Sequence, residues 1–262
     1  MWHTATHPCV FMVVFNVDLD NTLIYSYKHD IGDDKRCVEL YQGREISFMT
    51  DRTWQLLKEL KKRLMVVPTT TRTAEQYRRI KLGLGDFPYA LVCNGGILLT
   101  DGASDEKWHQ ESLSLISASM GELTRAERLL EKDSNRCFEV RNINELFLFT
   151  KSSCPEESVK RLEEELDSSL VDVFRNGIKV YVVPKQLNKG RAVSRLRKRL
   201  EPEMVVAAGD SEFDRSMLEC ADIALAPQGL KLSGAAWQKV KRINENMLFS
   251  EGLLEEIETI FQ

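Results

Sequence analysis

The chain has 262 residues, 43% apolar, 8% aromatic and 29% charged, a balance that permits a substantial buried core and excludes a disordered tail or a disulfide-stapled miniprotein. Thirty-six Lys plus Arg against forty Asp plus Glu give a formal net charge of −4, which offers no broad cationic surface and sets nucleic-acid binding aside as the main activity. Six cysteines stand without a C-x-x-C pair, so neither a zinc cage nor a redox dithiol is expected.

Val10 to Val17 is an apolar run broken only by Asn16, short enough for a strand buried on both faces of a parallel sheet. It lacks the basic segment that precedes a signal peptide, and no run reaches the roughly 18–20 apolar residues of a spanning helix, so a cytoplasmic protein without membrane partners is expected. Asp51 is placed to cap a helix with Trp54, Leu57, Leu60 and Leu64 on one stripe, followed by a second buried strand, Met65–Pro68. Thr73 to Leu82 reads as helix, after which Gly83, Gly85 and Pro88 break the pattern before Ala90–Cys93 and the Asn94-Gly95-Gly96 turn.

From about Ser112 to Pro184 the rhythm becomes a helix and two strands, twice. The first helix carries Leu123, Ala126 and Leu130; its hairpin is expected as Cys137–Arg141 with Glu145–Thr150. The second helix opens at Pro155 and carries Val159, Leu162 and Leu166; its hairpin is Leu170–Arg175 with Ile178–Val183 around Asn176-Gly177. After Pro184 the parallel style returns: a helix from Asn188, the buried strand Met204–Ala208, a short helix, and a strand from Ile223. The fold class is therefore α/β: a doubly wound, Rossmann-like parallel-sheet core (1–84 and 185–262) with an inserted α+β cap of two αββ units (85–184).

Ligands bind such sheets at the carboxyl ends of the strands. Asp18 and Asp20 follow the first strand, Asp210 follows Ala208 with Asp214 one turn beyond, Thr70 follows Pro68, and Lys189 opens a helix. Paired carboxylates at a buried edge are costly unless a cation or a reaction uses them. Asp18 and Asp210 with a backbone carbonyl suit magnesium, and a phosphate can then bridge the metal, Lys189 and Thr70.

The order DLDNTL, TTTR, NKGRA and GDSEFD resembles the four motifs of the haloacid dehalogenase superfamily of aspartate-nucleophile phosphatases, and the cap between the second and third motifs is similar to that of the Cof-type, sucrose-phosphatase-like and phosphomannomutase-like branch. The resemblance implies Asp18 as nucleophile, Asp20 as general acid and base, and Mg2+ held by Asp18, the Asp20 carbonyl and Asp210. It further implies Thr70 and Lys189 on the phosphoryl oxygens, Asp214 orienting Lys189 or a metal-bound water, and Thr71, Arg72 and Ser211 in support. Three positions depart from the pattern: Phe213 stands in place of Asn, Thr71 in place of Gly, and residues 23–51 are longer than usual, their YQGREIS segment forming an expected extra hairpin near the site.

Alternatives are weighed against these readings. D-x-D as a calcium loop would need Gly at Leu23 and Glu at His29. Gly83-Leu-Gly85 is no dinucleotide fingerprint, because Pro88 holds the third glycine position. His3 and His7 lie without a nearby acid in an end segment, and Arg195–Arg199 reads as a solvated helix face. In the cap, Arg141, Arg175 and Lys179 are candidates to reach an anionic substrate. The expected activity is hydrolysis of a small soluble phosphomonoester, sugar phosphates foremost; a phosphomutase and a catalytically silent metabolite-binding regulator are the alternatives.

Overall fold

The computed structural model describes residues 12–231 and 239–262. Val10, His3 and His7 lie outside them. The described residues begin with β1 (Val13–Val17), wholly buried, then β2 (Tyr25–Ser26), β3 (Lys35–Tyr41), β4 (Arg44–Thr50) and α1 (Asp51–Leu60). The β3–β4 hairpin turns at Gln42-Gly43, both with positive φ, as the polar YQGREIS segment leads one to expect. Thr50, rather than Asp51, caps α1: its side chain accepts the Thr53 N–H, and Asp51 is the first helical residue, paired with Arg36.

There follow β5 (Met65–Pro68), α2 (Ala74–Arg78), β6 (Tyr89–Val92), β7 (Ile97–Thr100), β8 (Ala103–Ser104) and α3 (Glu106–Leu115). The helix expected over Thr73–Leu82 is only five residues long. Thr73 and Gln76 form a reciprocal capping box at its start, and the chain then leaves the helix to pair Ile80 with Glu39. The cap elements are α4 (Met120–Glu131), β9 (Arg141–Ile143), β10 (Phe147–Lys151), α5 (Pro155–Glu165), β11 (Val171–Asn176) and β12 (Lys179–Pro184).

Both expected hairpins slip. Cys137–Val140 forms no strand, and the first pairing is Ile143 with Phe147, because Asn144 and Glu145 adopt the positive φ that closes the turn. In the second, Asn176 pairs with Lys179, so the two-residue loop is Gly177-Ile178 with Gly177 in the left-handed region. The chain ends with α6 (Lys189–Leu200), β13 (Met204–Ala208), α7 (Arg215–Cys220), β14 (Ile223–Pro227), β15 (Val240–Ile243) and α8 (Phe249–Ile260).

The core sheet has the order β15-β14-β13-β1-β5, all parallel, and the cap sheet the order β11-β12-β10-β9, all antiparallel. One face of the core sheet packs Phe15, Val17, Val66 and Val206 against Leu57, Leu60, Leu253 and Ile257 of α1 and α8. The other packs Val14, Val67, Val205 and Ala207 against Val193, Leu196 and Met217 of α6 and α7. Strands covered on both sides explain why β1, β5 and β13 are near-continuous apolar runs. We propose 85–184 as the inserted unit, its first strands laid against the core: Leu91 bridges Thr69 in parallel and accepts the Thr70 N–H.

The Arg195–Arg199 face is not simply solvated. Arg195 stacks 3.8 Å over the Trp108 ring and donates to Ser112 Oγ and the Trp108 carbonyl, while Arg199 pairs with Asp105, so α6 is fastened to α3. Among the described residues all cysteines are free thiols, and no helix is long and apolar enough to cross a membrane.

Candidate active site

The register of the core sheet aligns its strand ends. Val17 lies opposite Pro68 on one side and Ala208 on the other, so Asp18, Thr70 and Asp210 leave the sheet together. Asp18 donates its N–H to the Ala208 carbonyl, and the next turn folds back, with Leu23 and Ile24 both donating to the Leu19 carbonyl. That turn delivers Thr22 Oγ1 to Asp210 Oδ1 at 3.1 Å.

Lys189 sits at the first position of α6, capped by Asn188, and its side chain is buried. Its ammonium lies 2.6 Å from Asp18 Oδ1 and 2.5 Å from Asp214 Oδ1. The second Asp214 oxygen accepts from Asp210 N (3.1 Å), Ser211 N (2.9 Å) and Ser211 Oγ (2.7 Å), so Asp214 is a bracket between α6 and the loop after β13. Gly209 is required there: a Cβ would come within 2.4 Å of the Asp214 side chain.

Burial disfavours the charged form of Asp18 and, with Asp214, Asp210 and Asp20 adding repulsion against the pull of Lys189, raises its carboxyl well above the ordinary range. Burial also opposes the Lys189 charge, but Asp18 and Asp214 outweigh it and hold the ammonium protonated. Burial and the Asp214 charge push Asp210 up to about 7, with Thr22 and Lys189 opposing. Oxygens of Asp18, Asp210 and Asp214 lie within 4.8 Å of one another, an acidic cluster of hard donors that fits a divalent cation. Asp214 is the weakest candidate ligand, since both its oxygens are already engaged.

A pH dependence follows. A folded-state value near 7 against an ordinary 3.8 means that the native state retains a proton the unfolded chain has released, so stability falls as pH rises through that interval. In a chelator the melting temperature will fall from pH 5 to pH 8, and millimolar magnesium at pH 8 will restore it. A flat profile insensitive to magnesium would contradict both the crowding and the cation site.

Asp20 is the more exposed carboxylate, held by Arg72, whose Nε and Nη2 each donate to one of its oxygens at 2.7 Å. Arg72 Nη1 reaches Glu39 Oε2 at 2.8 Å. Glu39, on β3, was not singled out from the sequence. Burial opposes the Arg72 charge, but Asp20 and Glu39 outweigh it and raise the guanidinium above its usual value.

Thr70 is fully buried; its Oγ1 accepts the Arg72 N–H at 3.1 Å. Thr71, not Thr70, lines the cavity of about 690 Å³ that opens above Asp18, Asp20, Lys189 and Asp210. Its far wall is the cap, where Phe174 and Tyr181 meet Phe213 of the core with ring centroids 4.8 and 5.8 Å apart. Arg175 lines the cavity and pairs with Glu156 at 3.2 Å. Lys179 shares a strand face with Tyr181, within electrostatic reach of Asp20 and Arg72. Arg141 is not brought to the cavity; it pairs with Glu139 and stacks on Phe138.

A family model described as haloacid dehalogenase-like hydrolase matches residues 105–227. The phosphoglycolate phosphatase of Methanopyrus kandleri is 29% identical over 201 residues, covering 74% of this chain and 81% of that protein. Among solved structures, the sucrose-phosphatase of Synechocystis sp. PCC6803, in complex with sucrose and phosphate, superposes with a TM-score of 0.66 at 16% identity, covering 96% of this chain and 98% of the other. A haloacid dehalogenase-like hydrolase from Bacteroides thetaiotaomicron gives 0.59 at 15% identity, covering 95% and 100%. At these identities the superpositions speak for the fold: a parallel core with an antiparallel cap.

Proposed function

We propose that the chain is a haloacid dehalogenase-like phosphatase that hydrolyses small soluble phosphomonoesters, sugar phosphates foremost, through an aspartyl phosphate on Asp18 and with bound magnesium. The observation that carries this reading is Asp18 Oδ1 at 2.6 Å from a buried ammonium on the floor of a cavity, with the Asp210 carboxylate beside it.

Asp18 attacks phosphorus in line while the ester oxygen departs, and Asp20 gives that oxygen its proton. Water then attacks the aspartyl phosphate, Asp20 takes its proton, and the bond from Asp18 to phosphorus breaks. Lys189 carries the charge of the phosphoryl oxygens, joined by Thr71 at the cavity wall, while Thr70 braces the turn through the Arg72 N–H and Asp214 and Ser211 hold Lys189 in place. Asp18, the Asp20 carbonyl and Asp210 would hold magnesium, which would supply neutralisation of phosphoryl charge. Cytoplasmic action on a diffusible metabolite fits this chemistry.

The cavity supports a sugar as the leaving group. Phe174, Tyr181 and Phe213 form an apolar wall on which the C–H face of a sugar ring can lie, and Asn176, Glu156 and Glu163 supply partners for hydroxyls. Phe213, the departure from the family pattern, is therefore read as part of the specificity wall. Phe213→Ala will raise KM for a preferred hexose phosphate by about tenfold, with kcat little changed and methyl phosphate turnover unaffected. The governing experiment is phosphate release from a panel of sugar, nucleotide and small acid phosphates, with and without magnesium. No release from any member, or release indifferent to chelation, would reject the proposal.

A further inference from the structure

We propose that Glu39, on the hairpin inserted between β1 and α1, is a positioning residue for the proton-transferring carboxylate of Asp20 and acts through Arg72; the inference rests on the phosphatase reading above. The Glu39 side chain is fully buried, and its two oxygens collect three donors: Arg72 Nη1 at 2.8 Å and Ser47 Oγ at 2.7 Å on Oε2, Arg79 Nε at 3.2 Å on Oε1. Removing a carboxylate from water is expensive, and replacing buried ion pairs by apolar side chains is often neutral or stabilising, so packing alone gives no reason for an acid here.

The backbone delivers Glu39 deliberately. The β3–β4 ladder shifts register on both sides of Glu39, so the consecutive residues Val38 and Glu39 are both buried where a regular strand would send one outward. A bulge re-aims a side chain, and this one points a carboxylate at the far side of the guanidinium that grips Asp20.

The consequence is geometric. Nearly half of the Asp20 side chain surface is exposed, and left to itself this carboxylate would sample several rotamers in the cavity mouth. Arg72 engages both of its oxygens through one edge of a planar group, which fixes Asp20 only if that plane is itself fixed. Glu39 holds the remaining nitrogen, and Ser47 and Arg79 hold Glu39. Asp20 is thereby presented to the ester oxygen as the bond to phosphorus breaks, a task that needs reach of about 3 Å.

A proton donor matters most for poor leaving groups. A sugar alkoxide must be protonated as it departs, whereas dinitrophenolate leaves as the anion. The test is kcat/KM, which stops at the first irreversible step, for an alkyl phosphate and for 2,4-dinitrophenyl phosphate with wild type, Glu39→Gln, Arg72→Lys and the double variant. Glu39→Gln will lose about 10- to 100-fold on the alkyl ester and less than about threefold on the dinitrophenyl ester. Arg72→Lys will show the same leaving-group dependence, and the double variant will fall well short of the product of the two losses. Should Glu39→Gln not fold, Ser47→Ala, which removes one donor and no charge, will give a smaller shift of the same sign.

Equal losses on both substrates, or none, would overturn the inference while leaving the phosphatase reading standing, provided wild type turns over both esters and Asp20→Asn shows the leaving-group dependence. Wild type releasing phosphate from neither ester would overturn the reading and the inference together.

Discussion

Asp18→Asn will abolish phosphate release, by about 10^4-fold or more, without loosening the fold. The amide keeps the shape of the side chain but cannot form the bond to phosphorus, and among the described residues the other acids around the cavity floor are already engaged, Asp20 through both oxygens by Arg72. Asp210 is tied to Thr22, and both Asp214 oxygens are engaged. Stability should hold or rise, because the substitution removes a buried carboxylate that three neighbouring acids repel, while Lys189 keeps Asp214 as its partner. The measurement is paired: phosphate release under saturating magnesium, and thermal melting in chelator. Residual turnover above about one part in a thousand of wild type would remove Asp18 from the nucleophile's place. A large drop in melting temperature would instead assign it a structural duty.

The residues of this site were legible where chemistry and punctuation coincide. Met65–Pro68 and Met204–Ala208 form strands with the bounds read from their sequence, because each is a short apolar run between polar ends, and the acids and hydroxyls that follow those runs lie at the candidate site. Asp18, Asp210, Asp214 and Lys189 do converge, and Asn188 caps α6 as read. Register was less legible. Cys137–Val140 has the composition of a strand, but the turn is set by which residues accept a positive φ, and Asn144 and Glu145 do so where Asn142 was expected to begin it.

Glu39 was not legible at all. In strict alternation Val38 faces inward and Glu39 outward, and only the bulge, a tertiary feature, reverses that. The lone signal was indirect: residues 23–51 are longer than a link between strand and helix requires. Thr71 shows a related limit, since spacing marks the end of β5 but not which of three adjacent threonines faces the cavity. The last strand and helix, β15 and α8, were not read from the sequence, though α8 closes one face of the core through Leu253, Leu254 and Ile257.

Lys189→Met is expected to damage both function and fold, and in an order that separates the two. Its ammonium is the only cation within hydrogen-bond distance of Asp18 among the described residues, and Asp214 shares it. Substitution by an apolar side chain of similar length leaves two buried carboxylates facing each other, a cost of about 3–5 kcal/mol when one partner of a buried pair is removed. Protons can stand in for the missing charge, so the loss of melting temperature will be larger at pH 8 than at pH 5. Adding Asp18→Asn to Lys189→Met will recover part of the stability, because it deletes one of the two orphaned carboxylates, and the double variant will therefore be more stable than Lys189→Met alone. Activity will not follow: the double variant will remain as inactive as Asp18→Asn. An equal effect of Asp18→Asn on stability in the wild-type and Lys189→Met backgrounds would mean that Lys189 and Asp18 are not electrostatic partners in solution, and the floor of the cavity would have to be rebuilt without their contact.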